Sequence, residues 1–206
     1  MKRIALISIA AVMSAITYGQ TTLHFEGTNL SHPDTVKIDL NGNQNNVDAG
    51  KLDFQFSNGT NLVTVCADLN RILNGGALQY NVSSTDPNGN TGIDEAGKIV
   101  AKYFTGAVTA DEQAGLQLAV WSAIYNGGNS FNANGSHLKI SDANNATLAY
   151  AEQYYSAISL HNGSAAYYDG QGNHAQSQLG YQPVPEPASF ALLAIGLVGL
   201  LYKRSK

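Results

Sequence analysis

The stretch TADEQAGLQLAVWSAIYNGG, residues 109–128, predicts the central helix of this 206-residue chain. Thr109 is a typical N-cap, the acidic residues that follow favour the positive end of the helix dipole, and two glycines end the pattern. Nearly the whole circumference is apolar, so we expect the helix to be buried. Gln117 nevertheless lies on its core face, and a buried carboxamide without a partner costs about 1–3 kcal/mol. Gln117 should therefore have either a backbone partner or a chemical role.

The rest of the chain predicts an α+β fold. Runs of alternating apolar and polar residues, separated by Asn and Gly, are typical of strands and turns. These runs are TTLHFEGTNL (21–30), DTVKIDLNG (34–42), KLDFQFSNG (51–59) and NLVTVCADL (61–69), with SNGTN (57–61) as a hairpin signal. Further helices are predicted over 94–104 and 142–160, and strands return near SAAYYDG (164–170). We expect a strand-rich sandwich or barrel part, with a helical part between and after Cys66 and Gln117.

Two loops contain oxygen donors at alternating positions, as calcium loops do. They are DLNGNQNNVDAG (39–50) and DPNGNTGIDEAG (86–97). Both place Gly where an EF-hand loop needs its bidentate Glu, and both lack the turn Gly at the sixth position. We therefore interpret them as solvated turns and expect neither a metal nor a cofactor.

The N-terminus, MKRIALISIAAVMSAITYGQ, has the pattern of a secretory signal peptide over residues 1–19. Lys2 and Arg3 form its basic region, an apolar core follows, and small residues precede the predicted cleavage site near Gly19. The body of the chain should therefore be exported.

The C-terminus, YQPVPEPASFALLAIGLVGLLYKRSK (181–206), contains a short apolar stretch with a basic end. The stretch Ala188–Tyr202 has 15 residues, whereas a spanning helix needs about 20, and the basic end favours a cytoplasmic position. We predict a linker over 176–187 and a transmembrane sorting tail over 188–206. A simple C-terminal membrane anchor is the alternative.

The residues Val184, Pro185, Glu186 and Pro187, followed by the apolar stretch and the basic cluster, resemble the PEP-CTERM sorting tail. The resemblance covers residues 184–206. It implies a Gram-negative bacterium that makes extracellular polysaccharide. It also implies recognition by an exosortase, a membrane enzyme that processes such tails. The protein would be held in the inner membrane by its C-terminal helix, transiently or as an anchor, before it reaches the cell surface or the extracellular matrix.

The region between the two ends is acidic. It contains six of the 11 Lys and Arg residues and 14 of the 15 Asp and Glu residues, so its formal charge is −8. Such a charge argues against binding to nucleic acid or to an anionic membrane surface. Its length suits one domain, predicted over residues 20–175, with a real hydrophobic core.

Cys66 is the one cysteine of the chain and lies at the end of a predicted strand, in NLVTVCADLN (61–70). A single cysteine in an exported protein indicates intermolecular pairing or a reactive thiol. Four interpretations are open: a passive buried thiol, half of an intermolecular disulfide, the nucleophile of a Cys–His hydrolase, or one end of an internal cross-link. The histidines at 24, 32, 137, 161 and 174 lie mostly in polar surroundings without a local catalytic signature.

The segments VCADL and LQLAVW resemble the two motifs of the Cys–Gln thioester (TQxA-type) domains of bacterial surface proteins. The Cys of that family corresponds to Cys66, and the helix motif corresponds to Gln117 with Ala119, Val120 and Trp121. Leu116 stands where the name-giving motif has Thr. The resemblance covers residues 50–160 and implies an internal thioester between Cys66 and Gln117, with Ala119, Val120 and Trp121 as supporting residues.

The resulting hypothesis is a secreted binding or adhesion module, not an enzyme, because one thioester reacts once. Its partner would be an extracellular polysaccharide or protein that bears an amine or a hydroxyl nucleophile. The alternative hypothesis is a structural protein of the extracellular matrix or envelope without covalent chemistry.

Overall fold

The structure is a computed structural model that describes residues 19–29, 33–71, 73–83, 89–156, 158–159 and 162–181. Within these ranges the chain forms nine strands and three helices. The strands are β1 (Gln20–Thr28), β2 (Asp34–Leu40), β3 (Asn43–Ala49), β4 (Lys51–Phe56), β5 (Asn61–Cys66), β6 (Ala77–Ser83), β7 (Leu138–Ile140), β8 (Ala166–Gly170) and β9 (Gln178–Gly180). The helices are α1 (Thr91–Tyr103), α2 (Ala110–Tyr125) and α3 (Asn145–Tyr155).

Six strands form a closed barrel in the order β1-β4-β5-β9-β8-β6, and a separate antiparallel sheet has the order β3-β2-β7. All pairings within the barrel are antiparallel. The β4–β5 hairpin has the register that the turn residues between them predict, with Phe54 opposite Leu62. The predicted α+β class, with a barrel and with helices between and after Cys66 and Gln117, is confirmed.

The barrel wall separates two apolar cores. In β6 every second residue is buried and the residues between them are exposed, so Leu78, Tyr80 and Val82 fill the barrel interior. In β5 the outward side chains are covered as well, since Val65 packs against the helices. This strand is therefore buried on both faces, and its end lies in the core between barrel and helices.

Helix α2 is the centre of that second core. Its N-terminus has a capping box, in which Thr109 Oγ1 accepts a hydrogen bond from the Glu112 N–H (3.3 Å) and Glu112 accepts one from the Thr109 N–H (2.8 Å). All residues from Gln113 to Ala123 are buried. Gly115 permits the close approach of α3, because a Cβ atom at this position would lie 2.5 Å from Tyr150 Cβ. The helix can therefore hold polar side chains in fixed positions.

The buried Lys51 at the start of β4 connects the barrel to α1. Its Nζ donates hydrogen bonds to the carbonyl oxygens of Phe104 (2.6 Å) and Ala107 (2.5 Å), and it lies 4.5 Å from the centroid of the Phe104 ring. Burial lowers the pKa of Lys51. The ammonium therefore lies at the carbonyl end of α1, where the helix dipole favours a cation.

Several sequence predictions need correction. The stretch 39–50, interpreted as a solvated turn, holds the β2–β3 hairpin: only Asn41 and Gly42 form the turn, and all of β3 pairs with β2. Strand β9 lies within the range 176–187 assigned to a linker, so the folded part extends through at least Gly180. The predicted signal peptide, apart from Gly19, and the tail over 188–206 lie outside the described residues.

Candidate functional site

Strand β5 delivers Cys66 to the rim of the barrel. Cys66 is the last residue of the strand and pairs with Gln178 of β9. The ladder continues one residue further, since the Ala67 N–H donates a hydrogen bond to the Ser177 carbonyl (2.8 Å). The side chain of Cys66 belongs to the core between barrel and helices, and the residue is 4% exposed. The thiol is therefore held at a fixed point where the chain leaves the barrel.

Helix α2 places Gln117 against Cys66. The Gln117 Oε1 atom accepts a hydrogen bond from the Cys66 N–H (2.8 Å), and Gln117 Nε2 donates one to the Cys66 carbonyl oxygen (2.7 Å). Gln117 is 1% exposed. The two hydrogen bonds run in opposite directions, so they fix both the position and the orientation of the carboxamide. The two residues that the sequence singled out, 51 positions apart, are direct neighbours.

The Cys66 sulfur lies in surroundings that favour the neutral thiol. Burial raises the pKa of Cys66 from its ordinary value of 9.0 to about 12. The Asp68 backbone and the Trp121 side chain oppose this rise in the pKa, and the Asp68 carboxylate adds to it. The thiol itself donates a hydrogen bond to the Asp68 carbonyl oxygen (3.3 Å). At neutral pH the sulfur is therefore a buried thiol and not a thiolate.

The other residues of the predicted helix motif have different positions. Trp121 lies one turn after Gln117 and lines the same cavity as Gln117 and Cys66. Ala119 and Val120 are fully buried, and they belong to the packing of α2 in its core. The structure thus brings Cys66, Gln117 and Trp121 together, with Ala119 and Val120 in the surrounding core.

Tyr125 is a site residue that the sequence interpretation missed. Its hydroxyl accepts a hydrogen bond from the Leu69 N–H (2.7 Å), and this contact holds the loop that follows Cys66. An ion pair between Arg71 and Asp68 (3.1 Å) stabilises the same loop. Tyr125 lies eight residues after Gln117 on α2, so the helical period that placed Gln117 and Trp121 on one stripe also indicates this residue.

A cavity of about 660 Å³ opens over the pair. Its buried end includes Cys66, Gln117 and Trp121, and its exposed end includes polar side chains of β3, such as Asn46 and Asp48. Apolar side chains of β1, β2 and β4 line the cavity as well. The volume lies in the range of about 300–1,000 Å³ that is typical of ligand pockets. The cavity is therefore large enough to admit a small group of a larger partner.

The geometry bears on the other interpretations of Cys66. The described histidines, His24, His137 and His174, do not line this cavity, and the two with ring hydrogen bonds pair with asparagines. The described residues therefore supply no histidine base for a Cys–His hydrolase at this cavity. An intermolecular disulfide would require exposure of a sulfur that is buried.

Comparisons with known proteins add one specific finding. Residues 183–205 match the PEP-CTERM protein-sorting motif. The motif contains the predicted residues Val184, Pro185, Glu186 and Pro187, which lie outside the described residues of the structure. The chain therefore carries a sorting signal that implies processing by an exosortase-type enzyme, export, and a surface or extracellular location.

One solved structure is similar in fold, the N-terminal thioester domain of a surface protein from Clostridium perfringens. The two chains are 14% identical, the match covers 72% of this chain and 99% of that domain, and the TM-score is 0.36. No curated protein is significantly similar to the chain in sequence.

Neither a membrane-spanning helix nor a metal-binding cluster is found among the residues that the structure describes. None of the helices in this part of the chain combines the length and the apolar character that crossing a membrane requires. The same residues contain no group of three or more His, Cys, Asp or Glu side chains arranged to hold a metal ion.

Proposed function

We propose that this chain is a surface-targeted binding and adhesion module in which Cys66 and Gln117 form an internal thioester. The observation that supports this function best is the reciprocal pair of hydrogen bonds between the Gln117 carboxamide and the Cys66 backbone, at the buried end of an open cavity. The acyl group is thereby held against the backbone of the residue that carries the nucleophile, and fixing two reacting residues in this way lowers the entropic barrier to their reaction.

The reaction is balanced without any added reagent. The sulfur of Cys66 attacks the carboxamide carbon of Gln117, a C–S bond forms, the C–N bond breaks, and the nitrogen leaves as ammonia with the proton of the thiol. The thioester is neutral, so it tolerates the apolar surroundings that raise the pKa of the Cys66 thiol. Burial of both residues restricts the access of water to the reactive bond.

The thioester would then attach the protein to a partner. An amine or hydroxyl group that enters the cavity attacks the carbonyl carbon, becomes bonded to Gln117 and releases the thiol of Cys66. The protein is consumed in this event, so it is a covalent binder and not an enzyme. The partner would be an extracellular polysaccharide or a protein of the matrix. Attachment would follow export and the handling of the sorting tail by an exosortase-type enzyme, with a membrane stage through the apolar C-terminal segment.

A second candidate function is a structural matrix or envelope protein without covalent chemistry. It is favoured by the same two hydrogen bonds, because they satisfy the buried carboxamide of Gln117 with the backbone of Cys66. In this case the pair fastens α2 to the end of β5, and Cys66 is a passive thiol.

Peptide mapping by mass spectrometry under acidic conditions distinguishes the two functions. With a thioester, the peptides that contain Cys66 and Gln117 are joined, and their mass is lower by one ammonia than the sum of the separate peptides. Treatment of the folded protein with methylamine should place the amine on Gln117 and only then make Cys66 available to a thiol reagent. The Cys66→Ala variant is the control and should show neither change. Separate peptides of full mass and no methylamine adduct would support the structural role.

A further inference from the structure

Two buried polar groups of the described residues have no hydrogen-bond partner: the Tyr80 hydroxyl and the Trp121 indole N–H. Burial of a polar group without a partner reduces stability, so native proteins retain few such groups and each needs an explanation. Both side chains are almost completely buried, with Tyr80 at 0% and Trp121 at 2% exposure.

The two groups differ in what surrounds them. Tyr80 lies inside the barrel, in edge-on contact with the rings of Phe54 (6.1 Å between centroids) and Tyr168 (6.4 Å). Trp121 instead lines the cavity that contains Cys66 and Gln117. The Trp121 side chain opposes the rise in the pKa of the Cys66 thiol, while its indole N–H has no hydrogen-bond partner. One of the two unpartnered donors therefore belongs to a residue that lines the cavity of the Cys66–Gln117 pair.

A second donor already contacts the other reacting group. The backbone N–H of Cys66 donates to Oε1 of Gln117 at 2.8 Å, which is the distance expected of a donor in an oxyanion hole. The carbonyl oxygen that would become negative during attack on the carboxamide is thus already paired. Negative charge begins and ends on the sulfur, and the residue with the unpartnered indole N–H, Trp121, lines the same cavity as Cys66.

We propose that the Cys66 N–H and the Trp121 N–H are the two catalytic donors of the thioester chemistry, one for the carbonyl oxygen and one for the sulfur. This inference rests on the proposed function. In ring closure, the thiol loses its proton, the indole N–H stabilises the resulting thiolate, and the thiolate attacks the Gln117 carbon. The C=O electron pair moves to Oε1, where the Cys66 N–H receives the charge. The electron pair on Oε1 then re-forms the C=O bond and the C–N bond breaks. The nitrogen leaves as ammonia with the proton from sulfur.

The same donors serve the attack by a partner amine. The amine nitrogen bonds to the Gln117 carbon, Oε1 again carries the negative charge, and collapse breaks the C–S bond. The sulfur departs as a thiolate and finally takes the proton that the amine loses. Because the departing sulfur is charged, the Trp121 N–H is expected to lower the barrier in this direction too. The indole N–H of Trp121 thus has no partner while the sulfur of Cys66 is neutral, and it gains one only when the sulfur becomes charged.

The variant Trp121→Phe tests the role of the indole N–H. We expect methylamine to react with the folded protein about 10- to 100-fold more slowly, the loss that follows when a hydrogen bond to a charged group is removed. The Tyr80→Phe variant is the matched control, because it deletes the other unpartnered donor outside the cavity, and its rate should equal that of the unchanged protein. Equal rates for Trp121→Phe and the unchanged protein would overturn the inference.

A second measurement does not require that the thioester forms. In the Gln117→Ala background the thiol of Cys66 is free, and its alkylation by iodoacetamide can be followed as a function of pH. Adding Trp121→Phe should shift the pH profile to higher pH, because the thiolate loses its donor. An unshifted profile contradicts the role of Trp121. A shifted profile in a protein that shows no methylamine adduct supports the donor and rejects the proposed function.

Trp121 is the one tryptophan of the chain, which permits a third variant if Trp121→Phe does not fold. Biosynthetic replacement of tryptophan by benzothienylalanine exchanges the N–H for a sulfur atom and keeps the shape of the ring. The same loss of methylamine reactivity is expected. Full reactivity of this analogue would show that Trp121 acts through packing alone.

Discussion

Two buried glutamines lie one helical turn apart on α2, and they use their carboxamides differently. Gln113 Oε1 accepts a hydrogen bond from the Lys51 N–H (3.3 Å), and its Nε2 donates to Asn29 (3.3 Å) and to the Val108 carbonyl (3.4 Å). Gln117 directs both its oxygen and its nitrogen to Cys66, at 2.8 and 2.7 Å. Gln113 connects three segments, whereas Gln117 is matched to one residue.

The comparison shows that burial of a glutamine on α2 does not by itself indicate chemistry. Gln113 is 3% exposed and Gln117 is 1% exposed, and both carboxamides have backbone partners. The difference is the residue to which each carboxamide is bonded, because Gln117 is paired with the cysteine and lines a cavity together with it. The chain therefore contains its own control for the proposed reaction.

The largest expected effect is the complete loss of covalent chemistry in one glutamine variant and not in the other. Gln117→Ala should abolish both the loss of ammonia and the methylamine adduct, because it removes the acyl group. Gln113→Ala should retain both, with a decrease in stability of about 1–3 kcal/mol from the unpaired Lys51 N–H. Mass spectrometry and chemical denaturation measure the two effects. If both variants retained the adduct, Gln117 would not be the acyl donor.

The next effect concerns the alkaline stability of the free thiol. The folded pKa of Cys66, about 12, lies above its ordinary value of 9.0, so the thiol stabilises the fold below pH 9 and this contribution is lost as the pH rises to 12. The loss is about 1.4 kcal/mol for each pH unit in this interval. We therefore expect Gln117→Ala to lose more stability above pH 9 than the double variant Cys66→Ala, Gln117→Ala.

Denaturation of these two variants between pH 8 and 11 isolates the thiol, since both retain the buried tyrosines whose pKa values are also raised. Parallel stability curves would show that the thiol does not titrate with the fold. That result would remove the physical reason for the preference of the site for a neutral sulfur.

A smaller effect is expected at Gly115, which lies between the two glutamines. Alanine is the better helix former, but its Cβ atom would lie 2.5 Å from Tyr150 Cβ and 3.0 Å from the Thr147 carbonyl oxygen. Gly115→Ala should therefore decrease the free energy of unfolding by about 1–3 kcal/mol through overpacking against α3. The adduct at Gln117 should form more slowly if α2 is displaced. An increase in stability would mean that α2 and α3 separate without cost.

The smallest effect is expected at the N-cap of α2. Thr109→Ala removes the acceptor for the Glu112 N–H and should decrease stability by about 1 kcal/mol. Because the cap lies two turns from Gln117, the rate of methylamine addition should not change. Thr109→Ser, which keeps the hydroxyl, is the matched control. A slower reaction in Thr109→Ala alone would show that the helix end and the site are coupled.

The sequence predicted the parts of the fold that local patterns determine. Helix α2, its cap at Thr109 and the β4–β5 hairpin follow from helical period, capping residues and turn residues. Strand β3 could not be predicted, because NQNNVDA has no apolar alternation and depends on its pairing with β2. Strand β9 has three residues, and its place between β5 and β8 is a property of the closed barrel.

The candidate site, like the fold, could be predicted only in part. The position of Gln117 on the core face of a buried helix and the single cysteine at a strand end were visible in the sequence, and the resemblance to thioester domains joined them. The unpartnered N–H of Trp121 was not visible, because it depends on which atoms the folded chain places around the indole ring. The exposed end of the cavity, which includes Asn46 and Asp48, could not be predicted either, because it is formed by strand β3.

The short strand β9 has a mechanical consequence. Cys66 pairs with Gln178 of β9, and the chain continues from β9 directly toward the sorting motif at 183–205. Under the proposed function, a partner bonded to Gln117 would pull on α2, and a tail held by the cell would pull on β9. Tension between cell and partner would then be transmitted through the contact of α2 with β5 and the three residue pairs between β5 and β9. The point of attachment and the tether are adjacent, so most of the barrel lies outside the path of the force.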